Sequence, residues 1–128
     1  MRLTAAFFAN HAEVVDHMLN VQGAFWKTTV VAVGSPGFRS CAVVLCDMDA
    51  DDVGQQFSLH IDAQGPMGHQ LTPAFATDFT VESPSMFLCF TSMALPIDPE
   101  GGRHVYTFRI AGQHHRVDVP LAVRVKRA

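Results

Sequence analysis

The segment Phe57-Ser58-Leu59-His60-Ile61-Asp62-Ala63 decides the fold. Phe57, Leu59, Ile61 and Ala63 alternate with Ser58, His60 and Asp62. That period of two gives a pleated strand one apolar and one polar face. The alternation returns downstream: Phe75, Thr77, Phe79 and Val81 against Asp78 and Thr80, then Tyr106, Phe108 and Ile110 against Thr107 and Arg109. The last run sets Val117, Val119, Leu121, Val123 and Val125 against Arg116, Asp118, Arg124 and Lys126. Pro120, on the outer parity of that run, reads as an edge-strand residue, because proline cannot donate to a ladder.

Turn signals separate these runs: Gly34-Ser35-Pro36-Gly37, Gln64-Gly65-Pro66-Met67-Gly68, Ser83-Pro84, the loop from Pro96 to Gly102, and Ala111-Gly112-Gln113. Leu3 to Ala9, Phe38 to Cys46 and Met86 to Leu95 are apolar on both faces, and Phe38 to Cys46 suits a central strand. Met18 to Trp26 puts Leu19, Val21 and Phe25 on one face, with Gly23 marking a bulge or a close backbone approach. Thr28 to Val33 is a β-branched run. His11 to Leu19 is the exception, because Ala12, Val15, Met18 and Leu19 also fit one helical face. About eight short strands at regular spacing predict an all-β chain, a two-sheet antiparallel β-sandwich forming one domain over residues 1–128. Immunoglobulin-like and jelly-roll strand orders both remain open.

The 128 residues suffice to bury a core without a disulfide or metal staple. Charged residues make up 16%, against roughly 25% in an average globular protein. The net charge is −3, and the only basic clustering is Arg124, Lys126 and Arg127, which argues against a nucleic-acid partner. No run approaches the roughly 18 apolar residues of a membrane span. Three cysteines, Cys41, Cys46 and Cys89, lie in apolar runs without framework spacing, as expected of reduced thiols. Asn10, His11 and Glu13 interrupt the apolar opening before a signal-peptide core forms. The expected location is cytoplasmic.

The opening reads Ala9-Asn10-His11 and then Leu19-Asn20-Val21-Gln22-Gly23, and the close carries Gly102, Tyr106, Phe108, Gly112, Val119, Pro120 and Leu121. Together these resemble the first and last hairpins of an uncharacterised bacterial family of small β-sandwich proteins, a domain of unknown function. The resemblance implies the sandwich and carries no activity with it. The acidic loop, the His114-His115 pair and the loop from Pro96 to Gly102 depart from that pattern.

Catalytic chemistry finds no support. The serines at 35, 40, 58, 83, 85 and 92 lie in turns or strands without a base and an orienting acid. Buried cysteines have raised pKa values and are inert. Gly34-Ser35-Pro36-Gly37 lacks the length and the lysine of a phosphate loop. His114 and His115, being adjacent, point to opposite faces, and His60 and His69 are separated by a turn, so no His pair shows metal-ligand spacing. No cofactor is expected. Asp47, Asp49, Asp51 and Asp52 form the one candidate cation loop, with carboxylates at one, three and five. Asp52 and Ser58, however, stand where an EF-hand needs glycine and glutamate.

The doubly apolar strands carry the functional expectation. Only one face of a sandwich strand meets the core, so a second apolar face calls for a cover. Phe7, Phe8, Phe87 and Met93 are the interface candidates on these strands. Trp26 joins them as an anchor for a partner, the alternative being that it caps the end of the sandwich. The expectation is a non-catalytic protein acting through protein–protein contacts, including self-association. A small-ligand or Ca²⁺-binding module built on the Asp47–Asp52 loop is the second reading.

Overall fold

The computed structural model describes residues 1–127. Among the described residues nine strands form: β1 (Arg2–Val15), β2 (Met18–Ala24), β3 (Thr28–Ala32), β4 (Gly37–Asp47), β5 (Gln56–Gln64), β6 (Gln70–Thr80), β7 (Ser85–Pro96), β8 (Gly102–Ile110) and β9 (Arg116–Lys126). One 3-10 turn, Ala50–Asp52, interrupts the series in the acidic loop. The strands make a four-stranded sheet, β2-β1-β4-β7, and a five-stranded sheet, β3-β9-β8-β5-β6.

The inward residues follow the period of two. Ala6 and Phe8 of β1, Ala42 and Val44 of β4, Leu59 and Ile61 of β5, and Tyr106 and Phe108 of β8 meet in one buried cluster. Phe8 is its hub, with its ring 5.4 Å from Phe38 and 5.6 Å from Tyr106, edge-on to both. Such edge-to-face pairs add to the area effect of burying three large rings.

The strand order decides between the two topologies. β1, β4 and β7 lie side by side, and β6, β5, β8 and β9 form the facing sheet, as strands A-B-E and C′-C-F-G do in an immunoglobulin-type sandwich. All pairings are antiparallel except one: β3 runs parallel to β9, Thr28 beside Ala122 through Ala32 beside Lys126. Pro120 is an edge residue only in part. It pairs with Val105 of β8 and has no strand on its other side among the described residues, whereas β9 gains β3 as a second neighbour from Ala122 onward.

His11 to Leu19 is not helical. β1 continues through it, turns at Asp16-His17, both with positive φ (52° and 63°), and returns as β2. Residues with short polar side chains tolerate these angles, and the paired left-handed residues match the twist of a two-residue hairpin. Facing changes at Asn10. Phe7 and Ala9 lie on the outer face of the four-stranded sheet, and beyond Asn10 it is Ala12, from the other parity, that packs with them. Gly23 lies opposite this point with φ 63°, and a Cβ there would stand 2.6 Å from Cγ of Asn10. Only glycine permits that close approach.

The hairpin arm therefore lies across the outer face. Ala12, Leu19 and Val21 cover Phe7, Cys41, Val43, Leu45 and Cys89 in a second apolar cluster. Its turn rests beside Glu82, Ser83 and Phe87 at the start of β7. The second apolar face of β1 and β4 is thus covered by the chain itself, and does not of itself require a partner.

Candidate functional site

The segment that joins β2 to β3, Phe25-Trp26-Lys27, crosses from one sheet to the other. Phe25 adopts φ 60°, an unusual angle for a bulky residue. The twist brings its ring over Phe7, with centroids 4.7 Å apart, yet leaves Phe25 68% exposed. Trp26 turns the other way, is half-buried, and packs near Phe38 at 6.4 Å between centroids. The backbone of Lys27 accepts a hydrogen bond from Ala122 N–H at 3.0 Å, which fixes the crossing to β9.

This crossing forms one wall of a groove of about 490 Å³. The groove opens along the side of the sandwich where neither sheet is closed: β2 joins β1 only from Ala9, and β3 joins β9 only from Ala122. Phe7, Phe8, Val119 and Leu121 line it beneath Phe25 and Trp26. At its rim stand Lys27, Arg103 and Asp118. Asp118 accepts from Oγ1 of Thr107 at 2.7 Å, while Lys27 and Arg103 form no ion pair among the described residues. An apolar pocket of this size with a few polar groups at its margin is the usual form of a binding site.

The five interface candidates divide. Phe7 and Trp26 line the groove, Phe7 at 8% exposure, whereas Phe8 behind them is 0% exposed. Met93 is not on the outer face with Phe87. A register shift between Ser40 and Ala42 of β4 turns β7, and Met93 enters the core at 3% exposure. Phe8 and Met93 are therefore buried in the chain's own core and are out of reach of a partner. Phe87 stays half-buried beside the hairpin turn. Sequence reading missed Phe25 and Lys27, although Phe25 next to the only tryptophan was a usable signal.

The hairpin turn forms a second exposed apolar surface. Val15 and Met18, paired across the hairpin, are exposed on one face, Met18 at 65%, and Val14 lies on the other, toward Glu82 and Phe87. Glu13, whose Oε2 lies 3.7 Å from Nε2 of His11, and Asp16 flank them.

The acidic loop does not gather its carboxylates. Oδ2 of Asp49 lies 3.1 Å from the Met1 ammonium, and Oδ2 of Asp52 accepts from Asp49 N–H at 3.0 Å, capping the 3-10 turn. Among the described residues no three His, Cys, Asp or Glu side chains converge as ligands of a metal ion.

The histidines also have structural work. His104, fully buried, accepts from Asp98 N–H through Nε2 at 2.9 Å and donates through Nδ1 to the Gly102 carbonyl at 2.9 Å. His115 reaches the Leu3 carbonyl at 2.8 Å and ties β1 to the β8–β9 turn. His69 pairs with Asp98 at 3.2 Å, joining two loops at one end of the sandwich. Burial pushes the Cys46 thiol up to about 11, and raises Cys89 through burial and then through the neighbouring Cys41. At neutral pH neither is a ready nucleophile.

Among the described residues no helix is long and apolar enough to cross a membrane. No protein-family model matches the chain, and no curated protein matches it.

Proposed function

We propose that the protein is a non-catalytic β-sandwich that acts through protein–protein contacts, self-association among them, made at the groove beneath Phe25 and Trp26. The observation that carries this reading is Phe25 itself. A large aromatic ring is held 68% exposed, in a left-handed backbone conformation, over an apolar groove. Backbone strain of this kind costs on the order of 1–3 kcal/mol, persists only where the surrounding structure holds it, and clusters at functional sites. Aromatic anchors beside a desolvated pocket are the residues that dominate protein interfaces. The free thiols of Cys41, Cys46 and Cys89 favour a reducing, cytoplasmic setting. Membership of the uncharacterised bacterial sandwich family belongs to the same reading, since Asn10 and Gly23 form the bend of the arm and Tyr106 anchors a corner.

Trp26 is the only tryptophan in the chain, so its emission reports on the groove. Contact at the groove predicts that emission shifts to the blue as protein concentration rises or as a partner is added. Emission that stays constant from sub-micromolar to several hundred micromolar protein removes self-association from the reading.

A further inference from the structure

The groove and the hairpin turn are complementary. The groove offers an apolar floor, an exposed aromatic ring, and two cations, Lys27 and Arg103, with no ion pair among the described residues, beside one carboxylate, Asp118, which accepts from Thr107. The turn offers two exposed apolar side chains on its outer face, Val15 and Met18, which pair across the hairpin, with the carboxylates of Glu13 and Asp16 beside them, Glu13 lying 3.7 Å from Nε2 of His11. Phe25, Val15 and Met18 are all left exposed by the described residues, whereas the opposite face of the turn, with Val14, rests beside Glu82 and Phe87. The two cannot meet in one molecule. Phe25 and Trp26 stand at the base of the arm, and the turn lies at its far end against Glu82 and Phe87. Seven residues of β2 separate them, about 23 Å of extended chain.

We propose that a second copy of this chain occupies the groove, with the β1–β2 turn of each copy seated beneath Phe25 and Trp26 of the other. This rests on the proposed function above and names its partner. Two such contacts form at once about a two-fold axis, which closes the assembly as a dimer instead of leaving an open chain. Val15 and Met18 bury against Phe25 and the groove floor, and Glu13 and Asp16 approach Lys27 and Arg103. Opposite charge then selects the register, and like charge in the same place opposes it.

The test uses two full-length variants, with native mass read by light scattering after size exclusion. Lys27→Glu with Arg103→Glu makes the groove acidic. Glu13→Lys with Val15→Lys makes the turn basic and leaves Asp16, whose backbone angle suits aspartate, in place. All four side chains are exposed, so the folded state tolerates the changes. The wild type is expected at twice 14.0 kDa. Each variant alone is expected at half that mass, because its own turn and groove repel. An equimolar mixture is expected to return to the doubled mass, since one contact is then charge-reversed and the other is wild type.

Variants that keep the doubled mass alone, or a mixture that stays monomeric, overturn this pairing. If the wild type is still a dimer in that case, and loses it when Phe25 and Trp26 are removed, the groove remains the contact site and only its occupant is wrong. A wild type that stays monomeric overturns both self-association and the pairing. An assembly that grows beyond two copies overturns the closed dimer.

Discussion

The hydroxyl of Tyr106 donates to the carbonyl of Pro96 at 2.8 Å, ten residues upstream, across the corner between β7 and β8. Both groups are buried, and the ring stacks near His104, whose own hydrogen bonds hold Asp98 and Gly102 in the same loop. In immunoglobulin-type sandwiches a tyrosine commonly fixes this corner by the same bond. Removing the hydroxyl leaves the Pro96 carbonyl buried without its partner. Tyr106→Phe is therefore expected to destabilise the fold by about 1–3 kcal/mol. Urea unfolding with an unchanged slope checks this, and a loss within 0.5 kcal/mol contradicts it.

Phe8 and Met18 separate core from surface. Phe8 is 0% exposed and touches three other rings, so Phe8→Ala is expected to cost about 3–5 kcal/mol. Met18 is 65% exposed, and Met18→Ala is expected to fall within about 0.5 kcal/mol of wild type at a concentration where the protein is monomeric. Chemical denaturation of both variants measures the contrast. A costly Met18→Ala at low concentration would place the turn inside the monomer's core.

Alkaline pH weakens the fold in a predictable window. Burial raises the Cys46 thiol from its ordinary 9.0 to about 11, and raises Tyr106 further above its ordinary 10.0. Between these values the unfolded chain releases protons that the folded chain keeps. The unfolded state then binds fewer protons, so stability falls as pH rises. The contribution is intact below about pH 9 and declines between 9 and 11 for Cys46. Tyr106→Phe removes the tyrosine part of the slope. Thermal melts from pH 7 to 11 test the sign, and a melting temperature that rises across that range would contradict it.

Much of this fold was readable because its sheets obey a period of two. Phe57 to Ala63 and Tyr106 to Ile110 gave their strands and their faces directly. Cys41, Val43 and Phe7 did not reveal what covers them, because alternation reports which side a residue faces and not what lies there. The cover comes from an arm folded at Asn10 and Gly23, a tertiary event whose only local sign was one glycine. Met93 misled for a related reason: one irregular pairing beside Ser40 reverses the facing of every later residue on the strand. The groove was legible only as fragments, since Phe7, Trp26, Arg103 and Leu121 are far apart in sequence and meet only through the sandwich.

Calcium is expected to leave the protein unchanged. Asp49 is engaged by the Met1 ammonium and Asp52 by a backbone N–H, so the loop would have to dismantle its own bonds to gather oxygen ligands. Melting curves with millimolar Ca²⁺ and with chelator should superimpose. A rise of several degrees with Ca²⁺ alone would show that the loop rearranges around the ion.

The most direct test of the groove as the contact site is the native mass of the wild type beside a Phe25→Ala, Trp26→Ala double variant, by light scattering at matched concentration. A wild type at twice 14.0 kDa and a folded variant at 14.0 kDa is the predicted result. Equal masses for the two proteins, whether single or doubled, would contradict the claim that self-association runs through Phe25 and Trp26.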